Sequence, residues 1–439
     1  MKLNSKRTIL IGLAFLSIQV FWQFYDNEIP RILTYHFKLG ETWTGVVMSL
    51  DNILALFLLP LFGTLSDRVD TPIGKRMPFI IGGTALSALF FTLLICVAGK
   101  GDSLIFFLVL LLLLLVSMGT YRSPAVALMP DLTPAPLRSS ANAIINLMGT
   151  VGAVYTLVMI KLLLHSAADE AQTDYVPLAM AVVICMVVAV TVLFITIPEK
   201  KLGEKVRSEV RDFDGVMEQM EEINERKGDP EASLGMPPEV KRSLAFLLAS
   251  VALWFISYNA VTTAFSRYVT EVWGLKNGAY ADCIMIATIA AILAYIPIGI
   301  ISSRIGRKKT ILAGITMMAL CFLPASLMNE YNASLSFLFA VMGIGWAAIN
   351  VNSYPMVVEM AGFGDIGKYT GTYYTFSMAA QVFTPIFSGF LLEHISYRTL
   401  FPYACVFACL SFLTMLQVKH GDSKPGVKKN LLEHLDVDD

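Results

Sequence analysis

Apolar runs recur along the chain, each closed by a short polar or charged gap. A helix needs about 20 apolar residues to cross the hydrocarbon core of a bilayer. Twelve such runs fall at roughly 8–37, 43–66, 78–99, 104–129, 139–165, 175–198, 243–271, 277–302, 309–328, 334–359, 367–392 and 398–418. The runs are continuous and do not alternate apolar with polar, so the pattern predicts helices, not the strands of a barrel. "LIFFLVLLLLLLVSMG", residues 104–119, is the plainest of them. The predicted class is an all-α membrane protein of twelve transmembrane helices.

One gap is much longer than the others. Residues 199–242 are polar and end in the Gly/Pro-rich "GDPEASLGMPP". The expected organisation is a six-helix bundle over 1–198, a linker over 199–242, a second six-helix bundle over 243–419 and a polar tail over 420–439. Within the linker, Val206, Val210, Phe213, Met217, Met220 and Ile223 recur at helical spacing. That spacing predicts either a short amphipathic helix on the inner membrane face or a solvated linker helix packed on the protein.

Composition agrees with a bilayer as solvent. Of 439 residues, 56% are hydrophobic and only 15% charged, where a soluble globule carries about 25% charged residues. The net charge of −1 leaves no basic footprint for nucleic acid. Of the 33 Lys and Arg, only Arg31, Lys38, Lys100, Lys161, Arg267, Lys276 and Arg398 fall at or near the face opposite the termini, and Arg122 lies within a span. The positive-inside rule therefore puts both termini in the cytoplasm of a multi-pass protein of the cell membrane. The basic N-terminus "MKLNSKRTILIGLAFL" runs on without an A-x-A site and reads as the first span, not a cleaved signal. The six cysteines lie inside apolar runs without CxxC spacing and read as small buried hydrophobes.

The charged gaps repeat. "GTLSDRVDTPIGKRMPFI" (63–80) and "GIISSRIGRKK" (299–309) each stand between the second and third spans of a half. G-T-L-S-D-R aligns with G-I-I-S-S-R, and Gly74-Lys75-Arg76 with Gly306-Arg307-Lys308. Trp22 pairs with Trp254, Asn27 with Asn259, and Arg122 with Asn350. Two pseudo-symmetric bundles are the layout of a transporter built from internal repeats. Asp67, Arg68, Lys75 and Arg76 are candidate gating residues that bridge helix ends in one conformation and part in the other, with Arg304 and Arg307 their counterparts; the plain alternative is that they only set topology. Ser303 stands where the first copy has Asp67, so a gate there is expected to be weaker or purely cationic.

The loop resembles the signature loop of the major facilitator superfamily. "GKRMPFI", "RSPAVALMPDLTPAPLRSSANAIINLMG" and "GKYTGTYYTFSMAAQ" are similar to stretches of the glycoside–pentoside–hexuronide:cation symporters and the related sucrose–proton symporters. The resemblance implies a major facilitator fold in which helices 1, 4, 7 and 10 line a central cavity, and it implies transport of a sugar or glycoside. Departures limit it. The sodium-coupled melibiose-type carriers place acids on helices 2 and 4, where this chain has Ala55, Leu59 and Arg122, and their helix-1 sugar-binding acid falls at Gln19. Protons are thus the expected driving ion.

Charged side chains deep in a bilayer cost on the order of 3 kcal/mol, so those present must be paired, wet or at work. The candidate substrate-binding set is Gln19, Trp22, Asn27, Arg122, Asn146, Trp254, Tyr258, Asn259, Trp346, Asn350, Asn352 and Gln381. Aromatic faces stack on sugar rings and amides serve hydroxyls; packed core aromatics are the plain alternative. Asp26, Asp51 and Glu28 are the candidate proton carriers. At the rise of an ideal helix, Asp26 lies roughly 9 Å outward of the midplane, Asp51 about 4 Å outward and Arg122 roughly 12 Å inward, too far from Asp26 for a direct salt bridge. Two carboxylates on adjacent helices resist double ionisation, so one can hold a transferable proton. Solvation of Asp26 and Glu28 in a wide outer vestibule is the alternative.

No H-E-x-x-H, nucleophile elbow or metal-ligand spacing appears, so neither an enzyme nor a metal or other cofactor is expected. "GFGDIGKY" (362–369) nearly spells a phosphate loop, but Tyr369 stands where Ser or Thr is required. The reading is a secondary transporter, proton-coupled, moving a sugar-like solute by alternating access and working as a monomer in the lipid bilayer. A carrier of an organic anion or drug, with Arg122 as anion partner, is the nearer rival. A non-transporting membrane sensor on the same scaffold is the more distant one.

Overall fold

The structure, a computed structural model, describes residues 4–100, 103–134, 137–164, 170–206, 237–276, 278–332, 334–361 and 366–422. Most of the linker with its expected amphipathic helix, nearly all of the tail, and residues 362–365 of the near-phosphate-loop segment lie outside them. Among the described residues twelve helices are long and apolar enough to cross a membrane. They are α1 (Ser5–Arg31), α2 (Glu41–Arg68), α3 (Met77–Lys100), α4 (Leu104–Asp131), α5 (Arg138–Leu163), α6 (Val176–Thr196), α7 (Pro238–Trp273), α8 (Tyr280–Ile305), α9 (Arg307–Leu327), α10 (Ser334–Ala361), α11 (Ile366–His394) and α12 (Leu400–Leu416). Outward-facing side chains such as Phe57, Ile105 and Leu327 are large, apolar and exposed, as lipid contact requires.

Helix packing repeats with a period of six. In the first half α1 lies against α5 and α6, α2 and α3 against α4, and α3 against α6. The second half repeats this with α7 against α11 and α12, α8 and α9 against α10, and α9 against α12. Across the halves α2 packs on α11 and α5 on α8, the same pair exchanged by the pseudo-two-fold. The two bundles of the major facilitator fold are therefore visible in the packing itself.

Alternation of the spans defines two faces. One carries the chain start and the loops 69–76 and 306; the other, here the far face, carries the turns after α1, α3, α5, α7, α9 and α11. Pro30 precedes a π-helical turn, Ile32–His36, that widens the end of α1 at the far face. Pro60, Pro124, Pro297 and Pro385 also sit inside spans, which bundle neighbours make tolerable. α2 and α11 approach backbone to backbone on the far half. A Cβ on Gly45 would stand 2.0 Å from the Pro385 carbonyl oxygen, and one on Gly389 2.3 Å from that of Glu41.

Candidate functional site

A cavity of about 180 Å³ lies where α1, α5 and α8 meet. Gln19, Asn146, Thr150, Thr288 and Tyr295 give it polar groups, and Phe15, Leu147 and Ile292 an apolar wall. Among the described residues no charged side chain lines it. Gln19 and Asn146 were legible in the sequence. Thr150, Thr288 and Tyr295 were missed, because α5 and α8 carry only neutral, modest polarity and α8 was not among the helices expected to line the cavity.

Beside it, Trp22, Asp51 and Arg122 line a smaller cavity of about 20 Å³ between α1, α2 and α4, room for about one water. The Arg122 guanidinium carbon lies 5.2 Å from the Trp22 ring centre. Asp26 and Asp51 are within electrostatic reach of each other and of Arg122, with no carboxylate oxygen inside 4 Å of it among the described residues. Asn52 donates to Asp51 Oδ1 at 2.9 Å. Depth arithmetic on isolated helices set Asp26 and Arg122 far apart; the long Arg122 side chain spans the gap by lying on Trp22, one turn from Asp26.

In the second half Tyr258 stacks on Trp346, ring centres 3.7 Å apart and nearly parallel, with Phe255 edge-on at 5.4 Å. Asn259, Asn350 and Gln381 are half-buried, and Asn259 Nδ2 is enclosed without an acceptor among the described residues. Three expected residues stand differently. Trp254 is completely enclosed; Asn27 donates to Gln23 O at 2.8 Å and Asn352 to Ala348 O at 2.9 Å, both within their own helices. Glu28 is also completely buried, not solvated in a vestibule.

The charged loops tie helices together within each half. Arg76, 4% exposed, donates to Asp67 and Ser66 on α2 and to Asp131 on α4 at 2.8 Å. Lys75 lies 3.2 Å from Asp131 and 3.6 Å from Asp67. Glu199 accepts the backbone N–H of Lys75, Arg76 and Met77 at 2.8–2.9 Å, a carboxylate on the α3 N-terminus. Gly74, at φ +117°, leaves the space it needs. Gly306, at φ +100°, makes the matching turn, and Asp422 accepts Lys308 N at 2.7 Å. Arg307 pairs with Glu359. The second loop is thus not purely cationic: its acids come from the end of α10 and from the segment after α12 instead of from position 303. Ser303 bonds its own helix at Ile300 O, and Arg68 and Arg304 are exposed at equivalent sites.

The polar links between halves gather on the far face. Arg31 donates to Thr270 at 2.8 Å and Ser266 O at 3.1 Å. Arg267 approaches Glu41 at 2.8 Å, and Tyr397 donates to the same carboxylate at 2.6 Å. Glu393 accepts Thr42 N at 2.8 Å, and Lys161 meets Asp282 at 2.7 Å. Arg31 and Arg267, counted from the sequence at or near the face opposite the termini, are 1% and 5% exposed.

Against known families, residues 8–294 and 247–434 match the model of the Major Facilitator Superfamily, which together cover nearly the whole chain. The chain belongs to the major facilitator superfamily. Curated relatives of this facilitator match over short stretches. A chloramphenicol resistance protein, CraA, of Acinetobacter baumannii is 27% identical over 31% of this chain and 30% of its own length. A general alpha-glucoside permease of Schizosaccharomyces pombe is 29% identical over 19% of this chain and 15% of its own. The facilitator thus spans under a third of the length of either relative. Among solved structures, a nucleoside transporter superposes with TM-score 0.68 at 15% identity, over 94% of this chain and 100% of the other. A bacterial homologue of the iron transporter ferroportin, in an inward-facing state, superposes with TM-score 0.65 at 12% identity, over 95% and 99%. At these identities the likeness is one of fold. A larger cavity of about 600 Å³, lined by Asp67, Lys75, Asp131, Glu199 and Lys200, lies at the charged loop of the first half.

Proposed function

We propose that this facilitator carries a neutral, hydroxyl-rich solute of the sugar class with protons, by alternating access. Its termini and charged loops face the cytoplasm of the cell membrane, residues 1–198 and 243–419 rock about the midline, and 199–242 joins them. The observation that carries this reading is a division of labour. The neutral cavity at the junction of the halves offers amides, hydroxyls and an aromatic wall, while the ionisable groups Asp26, Asp51 and Arg122 are set beside it around Trp22.

Gln19 and Asn146 donate to and accept from substrate hydroxyls. Tyr258 and Trp346 offer a stacked aromatic face from the second half, Asn259 and Asn350 stand on the same two helices, and Gln381 is a further candidate on α11. Asp26 and Asp51 share a proton whose departure Arg122 compensates. The far-face links of Arg31, Glu41 and Arg267 hold the conformation sealed away from the outside, and the loop residues Asp67, Lys75, Arg76 and Arg307 keep each half rigid as it moves.

A second reading has an observation of its own. Arg122 has no direct ion pair among the described residues, and one relative is a chloramphenicol resistance protein; a substrate anion or drug dipole would complete that site. Counterflow into proteoliposomes discriminates among them. Exchange of a labelled disaccharide, lost in Gln19→Ala and Asn146→Ala but kept in Arg122→Gln, supports the sugar reading. Exchange of chloramphenicol or an organic anion, lost in Arg122→Gln, replaces it, and no exchange of any solute supports a sensor.

A further inference from the structure

The far-face cluster around Arg31 holds more acid than base. One Arg31 nitrogen donates to Glu170 Oε2 at 2.6 Å, and its Nε lies 3.6 Å from Glu28 Oε2. Glu28 and Glu170 are 0% and 8% exposed. From the second half, Tyr280 donates its hydroxyl to Glu28 Oε1, while Thr270 and Ser266 cover Arg31. The other groups facing the cluster are the hydroxyls of Tyr35 and Tyr175, and His36, whose ring lies 5.7 Å from that of Tyr175. Beyond Tyr35 stand Glu271, which is exposed, and the buried Arg267, which is committed to Glu41. Among the described residues no cation other than Arg31 lies within 4 Å of a Glu28 or Glu170 oxygen.

With both carboxylates ionised, the enclosed group would carry one uncompensated negative charge. Two of its oxygens, Glu28 Oε2 and Glu170 Oε1, are buried without a hydrogen-bond donor among the described residues. One proton shared by the two carboxylates would remove that excess charge. We propose that the Glu28–Glu170 pair is a proton-binding site that is filled when the far face seals. This rests on the alternating-access reading above.

The division of the site between halves says when the proton moves. Glu28, Arg31 and Glu170 belong to the first half; Tyr280, Thr270 and Ser266 belong to the second. Separation of the halves lifts the cover, water enters, both carboxylates ionise, and the proton passes to the far-side water. Closing takes it back from the same side. The proton therefore sets the closing equilibrium and does not travel with the substrate, unlike a proton on Asp26 or Asp51. The sealed state binds one proton more than the open state, so falling far-side pH favours sealing, by up to tenfold per pH unit.

The test uses the full chain, made cysteine-free, with spin labels at Ile105→Cys and Phe337→Cys, exposed positions at the far ends of α4 and α10. Pulsed dipolar spectroscopy in nanodiscs reads the sealed and open populations from pH 5 to 8. The expected result is a sealed-to-open ratio rising toward tenfold per unit as pH falls, flattened and held high in Glu28→Gln and in Glu170→Gln. His36→Gln and Asp26→Asn keep the pH response, and Asp26→Asn does so even where it abolishes coupled uptake. A pH-independent ratio in the parent protein overturns the site, as does a response that survives both glutamine variants or disappears in His36→Gln or Asp26→Asn. Failure of solute counterflow with the pH response intact would instead overturn only the sugar reading.

Discussion

Replacing Arg267 by Met removes the cation from Glu41 at the sealed far face. Arg267 Nε reaches the two Glu41 oxygens at 3.1 and 2.8 Å, and its NH1 donates to Thr263 O at 3.1 Å. Both side chains are nearly enclosed, at 5% and 4% exposure. Tyr397 at 2.6 Å and Thr34 at 3.2 Å still donate to Glu41 after the change, so the carboxylate is not stripped bare. Orphaning one partner of a buried pair costs about 3–5 kcal/mol, and the surviving donors place this case near the lower end, about 3 kcal/mol. In the open conformation Glu41 meets water and suffers no penalty, so the whole cost falls on the sealed state. At about 1.4 kcal/mol per decade, the sealed-to-open ratio drops roughly a hundredfold. The spin-label pair at positions 105 and 337 reads that ratio. Arg267→Met combined with Glu41→Gln removes the orphaned charge and should recover most of the loss, which a double-mutant cycle quantifies. A ratio within about threefold of the parent in Arg267→Met, or no recovery in the double variant, would refute the claim that this pair holds the far face closed.

Gly45→Ala tests the same seam by sterics: its Cβ would meet the Pro385 carbonyl oxygen at 2.0 Å, so the variant should populate the open far face, read as faster maleimide labelling of a cysteine placed at Thr270; unchanged labelling counts against a close-packed seam. Asp26→Asn should retain solute counterflow, which needs no net proton movement, yet lose accumulation driven by an imposed pH gradient in proteoliposomes; retained accumulation removes Asp26 from coupling. Glu199→Gln weakens three backbone contacts at the start of α3 where Asp422→Asn weakens one at α9. The first should therefore cost about 2 kcal/mol and lower the melting temperature in detergent more than the second, and equal shifts would contradict the cap assignment.

The bundle was legible because lipid makes a blunt demand. A span must be long and apolar, so twelve runs of composition predicted α1–α12 with ends off by a few residues, such as 243–271 against Pro238–Trp273. The repeat of Gly74 and Gly306 was legible for the same kind of reason, since both make turns of positive φ that favour glycine. Partners of charges were not legible. Glu199 and Asp422 lie far along the chain from the helix starts they cap, and nothing in their local pattern marks them.

What the sequence by itself determined was therefore one-dimensional: how many times the chain crosses, where it turns, and that two halves share a plan. Tertiary structure decided which polar groups meet. Arg31 and Arg267 read only as positive residues at or near the face opposite the termini, yet the meeting of α1 and α2 with α7 and α8 buries them against Glu28, Glu170 and Glu41. Asp26 and Arg122, far apart in depth along ideal helices, come within each other's field because Arg122 lies across Trp22. The physical reason is that hydropathy is a property of one segment and its solvent, whereas the energy of a buried charge depends on neighbours that only the packing of helices brings near.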